Sequence, residues 1–300
     1  MSLTIKSPGS CGELVQGTLD GQPFLITCPI DLYSEIRYKL PGFRTNLRGD
    51  KSREILTRTL HYIQSQYTLE EYLVHFPFHQ YSTLPIGKGM ASSSADLSCL
   101  CQAVALSLGM QLSADEVADL CLSIEPTDGI FYSGIMLFDH VGGKIRRNLG
   151  QPPQMMIAVF DAGGEVDTLS FNKRSDLTAL NKAKEKQVRE AMELVMTGIA
   201  KQDVSLIGQG ATISALANQL ILANSCLESI IKLSSQYGAC GVNAAHSGTV
   251  LGVLFAPQHV HKIGDCVTAI TENCPKVKYL QTVHLISGGI RTDRGDEHES

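Results

Sequence analysis

The sequence predicts an α+β fold in two domains, and three observations predict it. Short alternating segments and longer segments of helical period are interleaved through both halves of the 300 residues. Tight glycine turns, Asp20-Gly21 and Gly142-Gly143, join neighbouring strands as antiparallel hairpins rather than through helical crossovers. Finally, 300 residues is long for one core, and Gln151-Pro152-Pro153 punctuates the chain at its midpoint. The boundary is set there, giving domains 1–150 and 151–300.

In chain order, Leu3–Ser7 alternates as a strand and runs straight into the small-residue segment Pro8-Gly9-Ser10-Cys11-Gly12. A tight glycine turn between strands is the alternative reading of that segment. Phe24–Cys28 is the partner strand beyond Asp20-Gly21. Leu32–Leu40 sets Leu32, Ile36, Tyr38 and Leu40 against Glu35, Arg37 and Lys39, the pattern of a half-exposed strand. Arg53–Tyr67 has helical spacing, and Tyr72–Tyr81 reads as a strand with Val74, Phe76 and Phe78 on one face. A glycine-rich loop follows, then a helix over Ser93–Leu108. Ser113-x-x-Glu116 is a capping box that opens a helix ending before Pro126. Gly129–His140 is apolar and turns at Gly142-Gly143 into Lys144–Leu149.

In the second half, Met155–Phe160 is a strand, and Lys182–Ala200, Val204–Ala223 and Ser225–Tyr237 are helices. Gly238–Gly248 reads as a small-residue loop before a strand at Thr249–Phe255. A helix near Gln258–Glu272 and a strand near Tyr279–Ile286 complete the pattern. The last ten residues are polar and are expected to fray.

Composition removes several function classes. A net charge of −5, no tryptophan and 6% aromatic residues leave neither a basic footprint nor stacking platforms for nucleic acid. No apolar stretch reaches membrane-spanning length, and Met1–Pro8 leads into Gly9-Ser10-Cys11, not a signal-peptide core. Nine cysteines, an odd number, fit free thiols in a reducing compartment, so a cytoplasmic location is expected. Cys99-Leu100-Cys101 has no second close Cys or His pair, and no structural zinc is expected.

The chemistry concentrates at Pro85-Ile86-Gly87-Lys88-Gly89-Met90-Ala91-Ser92-Ser93-Ser94, between a strand and a helix. Small residues let backbone N–H groups close round a phosphate, and the helix adds its positive end. Ser92, Ser93 and Ser94 supply hydroxyls for phosphate oxygens or a magnesium shell. The Gly-x4-Gly-Lys-Ser/Thr pattern occurs nowhere in the chain. A flexible connector with serine caps would have the same composition.

The segment resembles the signature Pro-x-Gly-x-Gly-Leu-Gly-Ser-Ser-Ala of the GHMP kinases (galactokinase, homoserine kinase, mevalonate kinase, phosphomevalonate kinase). Met90 replaces its leucine, Ala91 its last glycine and Ser94 its alanine. Two further segments are similar to family motifs in order and spacing. Pro8–Gly17 resembles the N-terminal motif at the substrate end, with Ser10 where mevalonate-type members carry lysine. Asn243–Gly252 resembles the C-terminal glycine-rich motif, its glycines thinned to alanines and a serine. Between them, Glu125-Pro126-Thr127-Asp128-Gly129 falls where mevalonate-type kinases carry Pro-Ser-Gly-Val-Asp.

The resemblance implies a ribosomal-protein-S5-like N-terminal domain and a ferredoxin-like C-terminal domain. It implies ATP and Mg2+ as cofactors and a small-molecule alcohol as acceptor. Pro85, Gly87, Lys88, Gly89, Met90, Ala91, Ser92, Ser93 and Ser94 would hold the nucleotide, and Asp128 would be the catalytic base. Ser93 and Glu125 would hold the metal. Ser10, Glu13, His246, Ser247 and Gly248 would line the acceptor site. For an amino-acid acceptor, Glu13 suits the ammonium, and Arg146, Arg147 or loop amides suit the carboxylate.

The opening motif, the serine-rich loop and Glu125–Gly129 together are most similar to the branch of the family that phosphorylates L-threonine. That branch makes O-phospho-L-threonine for adenosylcobalamin synthesis. Homoserine stays open as acceptor, since sequence does not set the distance from carboxylate to hydroxyl. A non-catalytic S5-like module that touches RNA is disfavoured by the acidic balance and by Asp128. A homodimer is allowed for, without a motif that demands it.

Overall fold

The structure is a computed structural model, which describes residues 2–38, 45–66, 77–164 and 174–295. Two long strands, β1 (Ser2–Leu19) and β2 (Gln22–Tyr38), form the central hairpin. It closes on Asp20 and Gly21, at φ 51° and 77°. Paired positive φ angles match the twist of a two-residue hairpin, which is why aspartate and glycine sit there.

The segment Pro8–Gly12 is not a turn. It stays within β1 as a run of bulges, with the register shifting between Pro8 and Gly9, Ser10 and Glu13, and Glu13 and Val15. A bulge leaves backbone groups unpaired and re-aims side chains. Here the freed amides of Ser10 and Gly12 donate to the carbonyls of Met90 and Gly89 instead. Sequence pattern does not show such a partner, so it leaves a turn open for these small residues.

All further ladders are antiparallel and build one sheet across the molecule. Its strands are β3 (Phe78–Ser82), β4 (Ile135–Phe138), β5 (Arg146–Gly150), β6 (Met156–Asp161), β7 (Gly241–Ala244), β8 (Val250–Phe255), β9 (Lys278–His284) and β10 (Arg291–Gly295). The order is β5-β4-β2-β1-β7-β8-β6-β9, with β3 also on β2 and β10 also on β1. The first and second halves join where Glu13 pairs with Ala244. Gly150/Gln151 falls in the connection from β5 to β6, and β10 crosses back to the first half to pair with β1.

Two expectations change here. Gly238–Gly248 contains strand β7, whose Val242 and Asn243 are fully buried beside β8, although alanine and glycine hid its alternation. Arg291–Gly295 is a strand rather than frayed chain, because the open edge of β1 at Ser2–Lys6 offers it a complete ladder. The expected strand Tyr72–Tyr81 lies partly outside the described residues; its described part is β3.

Helices α1 (Gly49–Gln66), α2 (Ser92–Ser107) and α3 (Ala114–Ile124) accompany the first half. The second half carries α4 (Leu177–Lys201), α5 (Val204–Asn218), α6 (Leu227–Gln236) and α7 (Ile263–Asn273). The larger hydrophobic cluster joins Leu14, Phe24 and Leu100 to Val188 and Val195 of α4; the smaller one lies around Phe160, Phe255 and Ile270. Helix α2 is buried almost all round: between Leu97 and Ala105 every side chain is buried, and only Ser98 and Gln102 among them are polar. Its early turns are pinned to β1, where Ser98 Oγ meets Ser7 Oγ at 2.8 Å and Cys99 Sγ donates to the Ile5 carbonyl. The predicted capping box at Ser113 and Glu116 is present. No described helix is long and apolar enough to cross a membrane.

Candidate active site

The glycine-rich loop is held from both sides by the two other small-residue segments. On one side the Ser10 and Gly12 amides donate to Met90 and Gly89 carbonyls at 3.1 and 3.3 Å. On the other, the Thr249 and Val250 amides both donate to the Lys88 carbonyl, at 3.0 and 3.1 Å. Backbone thus touches backbone, and side chains have no room. A Cβ on Gly248 would sit 2.3 Å from the Gly89 nitrogen, and one on Gly12 2.7 Å from the Ala244 carbonyl carbon. The three motifs are one physical object, a loop clamped between β1 and the β7–β8 turn.

Gly87, Gly89 and Ala91 all have left-handed backbones, with φ 71°, 81° and 53°. Ala91 is the N-cap of α2 and makes no side-chain cap. The hydroxyls of Ser93 and Ser94 are turned elsewhere. Ser94 Oγ accepts the Asp128 amide at 3.0 Å and donates to Asp128 Oδ2 at 3.3 Å, while Ser93 Oγ donates to Glu125. The first turn of α2 therefore faces the cavity without a side-chain cap, which is the arrangement that receives anionic oxygen.

The cavity has a volume of about 210 Å³. Gly87, Gly89, Met90, Ala91, Ser92, Ser93 and Ser94 form one wall, and Glu125, Asp128, Glu13, His246 and Ser247 stand round the rest. Sequence reasoning had brought all twelve forward. Ser10, Pro85, Lys88 and Gly248 are not on its wall. Ser10 and Gly248 act through the backbone contacts above. The Lys88 side chain leaves the loop for an ion pair with Asp161 at 2.9 Å and the Gly164 carbonyl at 2.7 Å, strapping the loop to β6. Arg146 is committed to Asp115 and Asp119 on α3, and Arg147 is exposed on β5.

Sequence missed Lys51 and His140. The Lys51 ammonium pairs with Glu125 from the first turn of α1, and no motif includes it. His140 closes an apolar run and belongs to no motif, yet it lies on the wall of this cavity and of a second one, about 500 Å³, that opens beside it. His246 is shared by both chambers too, and the two imidazoles meet edge to face, 4.9 Å between centroids. His246 Nδ1 is anchored by Gln16 Oε1 at 3.1 Å.

The electrostatics set three acidic groups apart. Burial pushes Asp128 up to about 6, opposed by the hydrogen bond from Ser94 and reinforced by the charge of Glu125. Burial raises Glu13 well above the ordinary carboxylate range, and Asp128 raises it further. Glu125 has both a hydroxyl and an ammonium donor. Burial lowers His140 to about 4, and lowers His246 well below its usual value, so both imidazoles are neutral at pH 7.

Models of the GHMP kinase N-terminal domain and the GHMP kinase C-terminal domain match residues 54–136 and 195–272. An L-threonine kinase of Citrobacter freundii is 33% identical over 287 residues, 95% of this chain and 98% of that protein. One from Salmonella typhimurium is 30% identical over 292 residues, 95% of this chain and 94% of its own. The chain is a GHMP kinase.

Solved structures agree on the fold. The putative homoserine kinase of Listeria monocytogenes superposes with a TM-score of 0.65 at 16% identity, covering 98% of this chain and 100% of that one. In this GHMP kinase the loop that resembles the family signature has a left-handed backbone at Ala91, where the signature has glycine. The two family matches lie on either side of Gly150/Gln151.

Proposed function

We propose that this kinase transfers the γ-phosphoryl group of ATP to the side-chain hydroxyl of L-threonine, giving O-phospho-L-threonine and ADP. The observation that carries the reading is the meeting of Asp128 with the uncapped start of α2 in one cavity. Full-length similarity to two L-threonine kinases supports the choice of acceptor. We assign the product to adenosylcobalamin synthesis and the enzyme to the cytoplasm, with no nucleic-acid or membrane partner.

The mechanism needs no covalent intermediate. Amides of the 87–91 loop and of the first α2 turn bind the phosphates and stabilise their charge as it shifts during transfer. Asp128, which titrates near 6, is ionised at neutral pH and accepts the proton of the attacking hydroxyl. Ser94 holds the Asp128 carboxylate and its backbone together, fixing where the base points. Lys51 and Ser93 fix Glu125.

Ser93 and Glu125 are hard oxygen donors on the same wall, and they suit Mg2+. Among the described residues no cluster of three or more His, Cys, Asp or Glu offers a full protein cage. Bound there, Mg2+ would neutralise phosphate charge. The chamber beyond His140 and His246 gives the acceptor a place to enter.

The test is ADP release from purified protein with Mg-ATP and, in turn, L-threonine, L-serine, L-homoserine and mevalonate. Turnover with L-threonine well above the others is expected. Turnover confined to homoserine would sink the threonine assignment.

A further inference from the structure

Where the two chambers meet, buried polar atoms have unspent hydrogen-bonding capacity. Glu13 is 4% exposed and its Oε2 has no partner; His140 is 5% exposed and its Nδ1 has none. Asn181 Oδ1, on the α4 wall of the second chamber, is likewise without a partner. Native proteins rarely leave such atoms unpaired, so each asks what it pairs with when the site is in use. Carboxylate and amide oxygens accept hydrogen bonds, and so does Nδ1 of a neutral imidazole whose hydrogen is on Nε2. The set therefore calls for a donor-rich group, and a compact ammonium has three N–H bonds to give.

The backbone ties this group to the catalytic base. The Thr127 amide donates to the His140 carbonyl at 2.9 Å, so one bridge sets both the imidazole and the neighbouring Asp128. Glu13 and Asp128 line the same cavity, near enough for the charge of Asp128 to raise Glu13. His246, locked to Gln16, backs the His140 ring.

We infer that the α-ammonium of the acceptor binds at this junction, donating to Glu13 Oε2 and His140 Nδ1, and that His140 is a specificity-determining residue. The inference rests on an amino-acid acceptor. It also explains a preference for threonine over homoserine. In a vicinal amino alcohol, nitrogen and hydroxyl oxygen sit on adjacent carbons, and two neighbouring carboxylates serve both at once. The extra carbon of homoserine carries the hydroxyl away from Asp128 when the ammonium is held by Glu13.

The experiment compares acceptors that differ by one group: L-threonine, 1-aminopropan-2-ol, which keeps the ammonium, and 3-hydroxybutyrate, which lacks it. Glu13→Gln and His140→Leu should each lower kcat/KM for the two amines about ten- to a hundredfold, chiefly through KM, the scale of a hydrogen bond to a charged group. Their loss on 3-hydroxybutyrate, which offers no ammonium to either residue, should be at least tenfold smaller than on the amines. His140→Asn, which puts a side-chain acceptor near the position of Nδ1, should recover most of the loss. Equal losses on all three acceptors, or undiminished amine turnover in folded variants, would overturn the inference. Thermal melting checks the fold, and the near-isosteric Glu13→Gln decides the matter if His140→Leu does not fold. If wild type ignores threonine but uses another amino alcohol, the threonine reading falls alone. The contrast between that alcohol and its amine-free analogue then judges the ammonium site.

Discussion

Replacing Asp128 with asparagine should remove activity and add stability, in amounts that follow from its burial. The carboxyl titrates near 6 in the fold against 3.8 in the unfolded chain. Between those values the native state holds a proton that the unfolded state has released. Stability therefore declines as pH rises from about 4 to 6, and the loss is complete above 6. The difference of about 2 pH units corresponds to roughly 3 kcal/mol. Asp128 is half-buried beside a cavity that admits water, so a gain of about 1–3 kcal/mol is expected for Asp128→Asn at pH 8. At pH 4 the gain should vanish. Asparagine keeps an oxygen for the Ser94 hydroxyl, so the cavity wall stays intact. In turnover the variant should lose about 10²–10⁴-fold in kcat, the usual worth of a placed base. Denaturant melts at pH 4.5, 6 and 8, with ADP release at saturating substrate, measure both effects. A folded variant with kcat within tenfold of wild type, or a stability gain that does not change with pH, would refute the reasoning.

Three further substitutions probe the clamp around the loop. Ala91→Gly should leave the fold intact and stabilise it by up to about 1 kcal/mol, since alanine holds a left-handed φ of 53° that glycine adopts freely; a chemical melt reads this. Lys88→Met breaks the strap to Asp161 and the Gly164 carbonyl and should cost about 1–3 kcal/mol of stability by leaving Asp161 partly buried without its cation. Its KM for ATP should change little, because the ammonium is off the cavity wall; a tenfold rise would place Lys88 in the nucleotide site after all. Gly248→Ala puts a methyl group against the Gly89 backbone, and should cost at least about 2 kcal/mol together with most phosphate binding, read by melting and nucleotide titration.

The parts of this molecule that were legible in the sequence are those where backbone meets backbone. Contact at Gly12, Gly89 and Gly248 leaves no space for a side chain, so the residue type itself records the geometry and the motifs can be read. Capping chemistry at Ser113 and Glu116 is equally local, and was read correctly for that reason. What escaped depends on convergence across the chain. β10 is a strand only because β1 has an open edge for it, and β7 only because it fills the gap between β1 and β8. Lys51 and His140 carry no local mark, since their meaning lies in partners far along the sequence. Lys88 is a similar case: its neighbours in sequence are the glycine-rich loop, but the neighbours of its ammonium in space are Asp161 and Gly164. A motif fixes the path of the backbone, whereas the direction of a long flexible side chain is set by the charge that waits for it. For this kinase the proposed phosphate site is accordingly written in glycines, and the proposed acceptor site in buried polar atoms that only the assembled sheet brings together.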